Sequence, residues 1–139
     1  RLDENGAQIW TRKYPNSVQG GFNDLIIKND LIYAVGYVFA TLIEPEAGNS
    51  LLMRVNGDGT VDWTKSYGKH FDDSRLNSIS NSYDNGFILG GYTSAFGNGG
   101  WDFYIIKTDS LGNSGDCHEF DRTGSQQDYG CSGLKFATG

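Results

Sequence analysis

The sequence predicts an all-β protein built of antiparallel, four-stranded sheets, and three observations carry that expectation. Glycine is abundant, 20 residues against 2 prolines, and 8 tyrosines, 8 phenylalanines and 3 tryptophans accompany it in a chain of 139 residues. Aromatic side chains fit pleated, half-buried strands, and glycine supplies tight turns. No window joins a 3.6-residue apolar period to helix caps, so under about a tenth of the chain is expected in helix. The third observation is an internal repeat.

Arg1-Leu2-Asp3-Glu4-Asn5-Gly6 returns as Arg54-Val55-Asn56-Gly57-Asp58-Gly59 and again as Lys107-Thr108-Asp109-Ser110-Leu111-Gly112, a step of 53 residues each time (54 − 1 and 107 − 54). Trp10, Thr11 and Tyr14 return at the same step as Trp63, Thr64 and Tyr67. In mid-repeat, Ala34-Val35-Gly36-Tyr37 aligns with Leu89-Gly90-Gly91-Tyr92 at a slightly longer step (89 − 34 = 55), and the loop 40–49 absorbs the difference. A fixed period with insertions confined to loops marks a repeat architecture.

Four elements follow along each unit, most clearly in the second. Leu76 to Ser82 reads as a strand, then Asp84-Asn85-Gly86 as a hairpin turn whose Asn-Gly pair tolerates positive φ. Phe87 to Thr93 forms the next strand, and Trp101 to Thr108 follows the Gly-rich loop 94–100. The run Phe103-Tyr104-Ile105-Ile106 is apolar on both faces, so both faces are expected to be covered. The last strand of a unit carries the tryptophan, as Ala7 to Tyr14 and Thr60 to Tyr67. Gly36, Gly90 and Gly91 are expected where neighbouring sheets converge. The chain thus divides into a leading strand (1–14), two repeats (15–67 and 68–120) and a polar tail (121–139).

Four strands in about 50 residues is the size of one propeller blade. The run from Asp84 to Asn113, including Asp84-Asn85-Gly86-Phe87-Ile88-Leu89-Gly90-Gly91-Tyr92-Thr93 and Trp101-Asp102-Phe103-Tyr104-Ile105-Ile106-Lys107, resembles the repeats of secreted bacterial and archaeal β-propeller proteins. Val61-Asp62-Trp63-Thr64-Lys65-Ser66-Tyr67-Gly68 continues the resemblance. It implies propeller-type blades and a secreted or cell-surface location, with no particular chemistry. Two near-complete repeats and a leading strand fall short of the roughly four to eight blades of a closed ring. The expected partners are therefore other copies of the chain or further repeats of a longer protein. The leading strand is expected to complete a sheet contributed elsewhere.

Charge and hydropathy narrow the function classes. A net charge of −6 opposes a sequence-independent grip on nucleic-acid phosphates or anionic lipid. The longest apolar stretch, 31–40, is half the ~20 residues that a membrane helix needs. The start at Arg1, without an initiator Met or an apolar leader, is read as a processed or truncated product. Cys117 and Cys131 stand too far apart along the chain for a CxxC redox or zinc pair. The expectation is a disulfide, worth roughly 3 kcal/mol in the chain-entropy model and suited to an oxidising compartment, with two free thiols as the alternative.

No catalytic set is visible. Asp3, Asp58 and Asp109 offer oxygens for calcium, but they lack EF-hand spacing and are accounted for as capped hairpin turns. Asp72 and Asp73 beside His70, together with Asp102, are read as loop charge rather than a glycosidase pair. His70 and His118 have no ligand-spaced partner. None of the serines between Ser66 and Ser94 stands in a Gly-x-Ser-x-Gly elbow, and Gly97-Asn98-Gly99-Gly100 lacks the Lys-Ser/Thr of a phosphate loop. Trp10 and Trp63 are read as packing residues. Trp101, with Tyr92 and Asp102, is the ligand candidate. The expected function is a non-catalytic extracellular structural or adhesive module, needing no cofactor; the alternative is a carbohydrate-binding lectin formed by several chains.

Overall fold

The computed structural model describes residues 1–14, 19–39, 48–68, 73–94, 100–115, 118–120 and 126–128. Strands β1 (Gln19–Lys28), β2 (Leu31–Phe39), β3 (Gly48–Val55) and β4 (Val61–Tyr67) form one four-stranded sheet in chain order. Strands β5 (Ser74–Asn81), β6 (Phe87–Thr93) and β7 (Asp102–Thr108) form a second, three-stranded sheet, and β8 (His118–Phe120) pairs with β9 (Gln126–Asp128). Every neighbouring pair is antiparallel, neither large sheet closes on itself, and the described residues contain no helix.

The repeated sequence becomes a repeated turn. The amides of Asp3, Asn56 and Asp109 donate to the carbonyls of Ala7, Thr60 and Asn113 at 2.8–2.9 Å, and those of Gly6, Gly59 and Gly112 donate back to Asp3, Asn56 and Asp109. The closing glycines take φ of +81°, +86° and +74°, a left-handed conformation that a Cβ would strain. Asp3 and Asp109 each accept two backbone amides on Oδ1. The turn before β6 differs from expectation: Asn85 alone of the Asn-Gly pair has positive φ (67°), because the loop is the longer one closed by Ser82 and Gly86. Across its base Lys107 Nζ donates to both carboxylate oxygens of Asp84 at 2.8 and 2.6 Å, which holds the Asp84 pKa down to about 2.

The glycines of β2 and β6 also have a different cause from the one expected. β1 and β5 each carry a one-residue bulge, at Asn23 and Asn77, where the register shifts against the next strand. Just before each bulge the carbonyl of Gly21 or Arg75 lies where the Cβ of residue 36 or 91 would stand. Gly36 and Gly91 are therefore required by the bulge inside their own sheet, not by convergence of two sheets. At Gly90 an added Cβ would meet only the Ser78 hydroxyl, 2.8 Å away.

The sheets pack face to face, with β5 lying against β1, β2 and β3. Tyr33, Val35 and Leu52 from the first sheet meet Leu76, Phe87, Leu89 and Ile106 from the second, and the rings of Tyr33 and Phe87 stand 4.5 Å apart at the centre. At the inner edge Asn23 Nδ2 donates to the Leu76 carbonyl at 2.7 Å and to Asn77 Oδ1 at 3.1 Å, while Asp24 accepts the Ile79 amide at 3.0 Å. One bulge thus clasps the other.

Ala7 to Tyr14, expected to complete a sheet contributed elsewhere, has as its only ladder contact among the described residues the bridge Leu2↔Gln8. One expectation is corrected: the apolar run in β7 is covered on one face only. Tyr104 and Ile106 are buried, whereas Phe103 and Ile105 are 99% and 61% exposed.

Candidate functional site

The leading segment, though unpaired, is seated on the first sheet in a way that the second sheet reproduces. Tyr14 Oη donates to the Gly59 carbonyl at 3.1 Å, and Tyr67 Oη donates to the Gly112 carbonyl at 2.7 Å. Donor and acceptor have both moved by one repeat step. The indole of Trp10 lies against Gly59 as that of Trp63 lies against Gly112, each so close that a Cβ on the glycine would strike the ring or its neighbour. The outer segment of one unit is therefore docked on the hairpin turn of the next. One detail differs: Trp10 Nε1 donates to the Gly57 carbonyl at 2.9 Å, while the buried Trp63 Nε1 finds no acceptor among the described residues.

Burial pushes the Tyr67 hydroxyl well above its ordinary pKa, and burial alone pushes Tyr104 up to about 12, so neither phenol ionises near neutrality. Tyr67→Phe leaves the buried Gly112 carbonyl without its donor and is expected to cost about 1–2 kcal/mol of unfolding free energy. Tyr14→Phe, at the more open site, is expected to cost less than about 1 kcal/mol. Urea titration of the two variants checks the ordering. An equal loss would mean that the two contacts are not the buried and open versions of one interaction.

Each end of the chain carries an open surface that corresponds to one side of the internal contact. On the second sheet Ile88, Phe103 and Ile105 are exposed; the residues at their places in the first sheet, Tyr33, Ser50 and Leu52, are buried against β5–β7. On the first sheet Phe22 and Leu25 are exposed, while their counterparts across the bulge, Leu76 and Ile79, are buried. Here a cleft of about 560 Å³ opens between residues 12–14 and the sheet, with Phe22, Leu51 and Met53 in its wall and Arg12 and Lys13 at its rim.

The ligand candidates gather at one end of the second sheet. Trp101 is 57% exposed and meets Tyr92 edge to face at 5.0 Å, and Asp102, paired in register with Thr93, has a buried Oδ2 that accepts no hydrogen bond from the described residues. The three candidate calcium carboxylates are apart, one in each turn. Asp58 accepts the Thr60 hydroxyl at 2.7 Å, which lowers its pKa, and its amide at 2.9 Å, while Asp3 and Asp109 are occupied by turn amides. Among the described residues no group of three His, Cys, Asp or Glu side chains converges on a metal position. Asp73 is held by Arg75 at 2.9 Å. His70, Asp72, Cys117 and Cys131 lie outside the described residues, and His118 is described by its backbone alone.

Tyr14 and Tyr67 stand out in the sequence as repeat landmarks but not as the donors that seat one unit on the next. The usable signal was that the glycines at 59 and 112 keep the same distance from them. Compared with protein-family models and with curated proteins, the chain gives no match.

Proposed function

We propose that the chain is a non-catalytic repeat module of the propeller type whose role is to build an extracellular structural or adhesive assembly through its sheet faces. The observation that carries this reading is the pair of equivalent contacts, Tyr14 on Gly59 and Tyr67 on Gly112, together with the uncovered counterpart residues at both ends. A unit that docks on its successor by a repeated set of contacts is made to be followed by another, and apolar faces beyond several hundred Å² are uncommon on proteins that stay single. Light scattering on the purified chain is expected to give a multiple of 15.3 kDa. A stable single-chain particle across the concentration range would overturn the proposal.

A second reading has one observation of its own. Trp101, exposed and braced edgewise by Tyr92, presents a flat apolar surface able to stack on a sugar ring. Under that reading the assembled chain is a lectin, and glycan binding disappears in Trp101→Ala while the mass of the particle is unchanged.

A further inference from the structure

The repeated hairpin turns share one ring of backbone hydrogen bonds but differ in the side chain that opens them. Asp3 and Asp109 each accept two backbone amides on Oδ1 at 2.8–2.9 Å, from the residues two and four places on. The turn Asn56-Gly57-Asp58-Gly59 opens with a carboxamide instead. Asn56 Nδ2 donates to the Thr60 hydroxyl at 3.0 Å, and the Thr60 amide donates to Asp58 rather than to residue 56. We infer that Asn56 is a self-modifying site, at which the Gly57 amide nitrogen displaces ammonia from the side chain and an acid results at the turn position that Asp3 and Asp109 hold. The inference goes beyond the assembly reading and does not depend on it.

Water is the only co-reactant. The Gly57 nitrogen gives its proton to solvent and its electron pair to Asn56 Cγ, the Cγ–Nδ2 bond breaks, and Nδ2 takes up a proton and leaves as ammonia. Water then opens the cyclic imide at either of its carbonyls. Breaking the new Cγ–N bond gives aspartate. Breaking the original peptide bond gives isoaspartate, in which Cβ and Cγ have entered the main chain. On either branch a water is consumed and an ammonia released.

Turn geometry picks Asn56 out among the Asn-Gly pairs. A following glycine leaves the attack unobstructed, and Asn5-Gly6 and Asn85-Gly86 share that advantage on more exposed asparagines. Their attacking nitrogens are occupied, however: Gly6 N donates to the Asp3 carbonyl at 3.1 Å and Gly86 N to the Asp84 carboxylate at 3.2 Å. Gly57 directly follows the residue that opens its turn, so its amide is left out of the ring and donates to no acceptor among the described residues. Glu4 and Ser110 hold the same place in their turns, but no asparagine precedes them. Asn98-Gly99 lies outside the described residues. The two products act differently on the fold. Aspartate can accept the amides of residues 58 and 60 as its counterparts do. Isoaspartate lengthens the main chain and shifts the Gly57 carbonyl, which accepts Trp10 Nε1 at 2.9 Å, and with it the Gly59 carbonyl that accepts Tyr14 Oη at 3.1 Å. That branch loosens the seat of residues 10–14 on the first sheet.

The test ages the folded chain at mildly alkaline pH beside a sample kept unfolded in urea. Proteolytic fragments are scored by mass for amide-to-acid conversion, and isoaspartate is detected by enzymatic methylation. In the folded chain Asn56 is expected to convert about fivefold faster than Asn5 or Asn85, the factor set by freeing a hydrogen-bonded amide. In urea the three rates are expected to converge. Equal or faster conversion at Asn5 or Asn85 in the folded chain would overturn the inference, as would an unreactive Asn56 there while the unfolded chain reacts. Asn56→Asp makes the aspartate branch directly and is expected to unfold at a urea concentration no lower than the parent. A lowered midpoint would overturn the placing of the new carboxylate in the position of Asp3 and Asp109.

Discussion

Phe87→Ala is expected to lower the unfolding free energy by about 3–5 kcal/mol, the largest loss from any single truncation in the chain. Phe87 opens β6, is fully buried, and its ring meets that of Tyr33 across the two sheets at 4.5 Å with the planes tilted at 44°. Lys28 Nζ stands 5.7 Å from the same ring, and Leu52, Leu76, Leu89 and Ile106 surround the contact. Truncation removes the main piece that one sheet inserts into the other, and strands hydrogen-bonded along their edges cannot collapse into the space. Phe103→Ser supplies the contrast. That residue has the same chemistry on the opposite face of the same sheet, and its loss is expected to change intrachain stability by less than about 0.5 kcal/mol at concentrations where the chain is dissociated. Equilibrium urea unfolding, followed by the near-ultraviolet signal of the aromatic core, measures both. Equal losses would mean that the open face is not open.

That contrast marks where sequence reasoning reached and where it ended. Phe103 and Phe87 occupy strands that read alike, each apolar at successive positions, and alternation alone cannot say which face has a partner. The strands themselves were legible because turn chemistry and apolar runs are local: the Asp/Asn turns closed by Gly6, Gly59 and Gly112 fall where the repeat puts them, and β6 and β7 fall within a residue of expectation. The leading segment Ala7 to Tyr14 has a strand's composition and no strand's pairing, since a strand is made by its neighbour. Of the candidate ligand residues, Trp101 and Tyr92 were brought together at 5.0 Å because they end adjacent strands, a closeness that follows from hairpin register. The clasp of Asn23 on Leu76 and Asn77 was not legible, because a bulge adds one residue without any characteristic composition and, being present in both units, leaves no mark on the repeat step.

The same bulge leaves no room for a side chain at Gly91. Gly91→Ala is expected to cost about 1–3 kcal/mol, with the upper end favoured by what stands in the way. An added methyl would overlap the Arg75 carbonyl and come within 2.9 Å of the Leu76 Cα, and both are main-chain atoms that no rotamer change can clear. Relief requires β5 to move, but β5 is fixed on both sides. Leu76 is fully buried between the sheets, and its carbonyl accepts the Asn23 side chain at 2.7 Å. The Arg75 guanidinium lies 4.7 Å from the Tyr37 ring centroid, 5.6 Å from that of Phe39, and 2.9 Å from Asp73. Displacing the strand therefore loosens the clasp and the cation–π stack together, and slowed amide exchange should be lost first at Ile79, whose amide is held by Asp24. Gly90→Ala, one residue away, meets only the rotatable Ser78 hydroxyl and is expected to cost under about 1 kcal/mol. Hydrogen exchange on the two variants decides the matter: if Gly91→Ala kept Ile79 as protected as Gly90→Ala does, the bulge carbonyl would not be what requires glycine at 91, and by equivalence at 36.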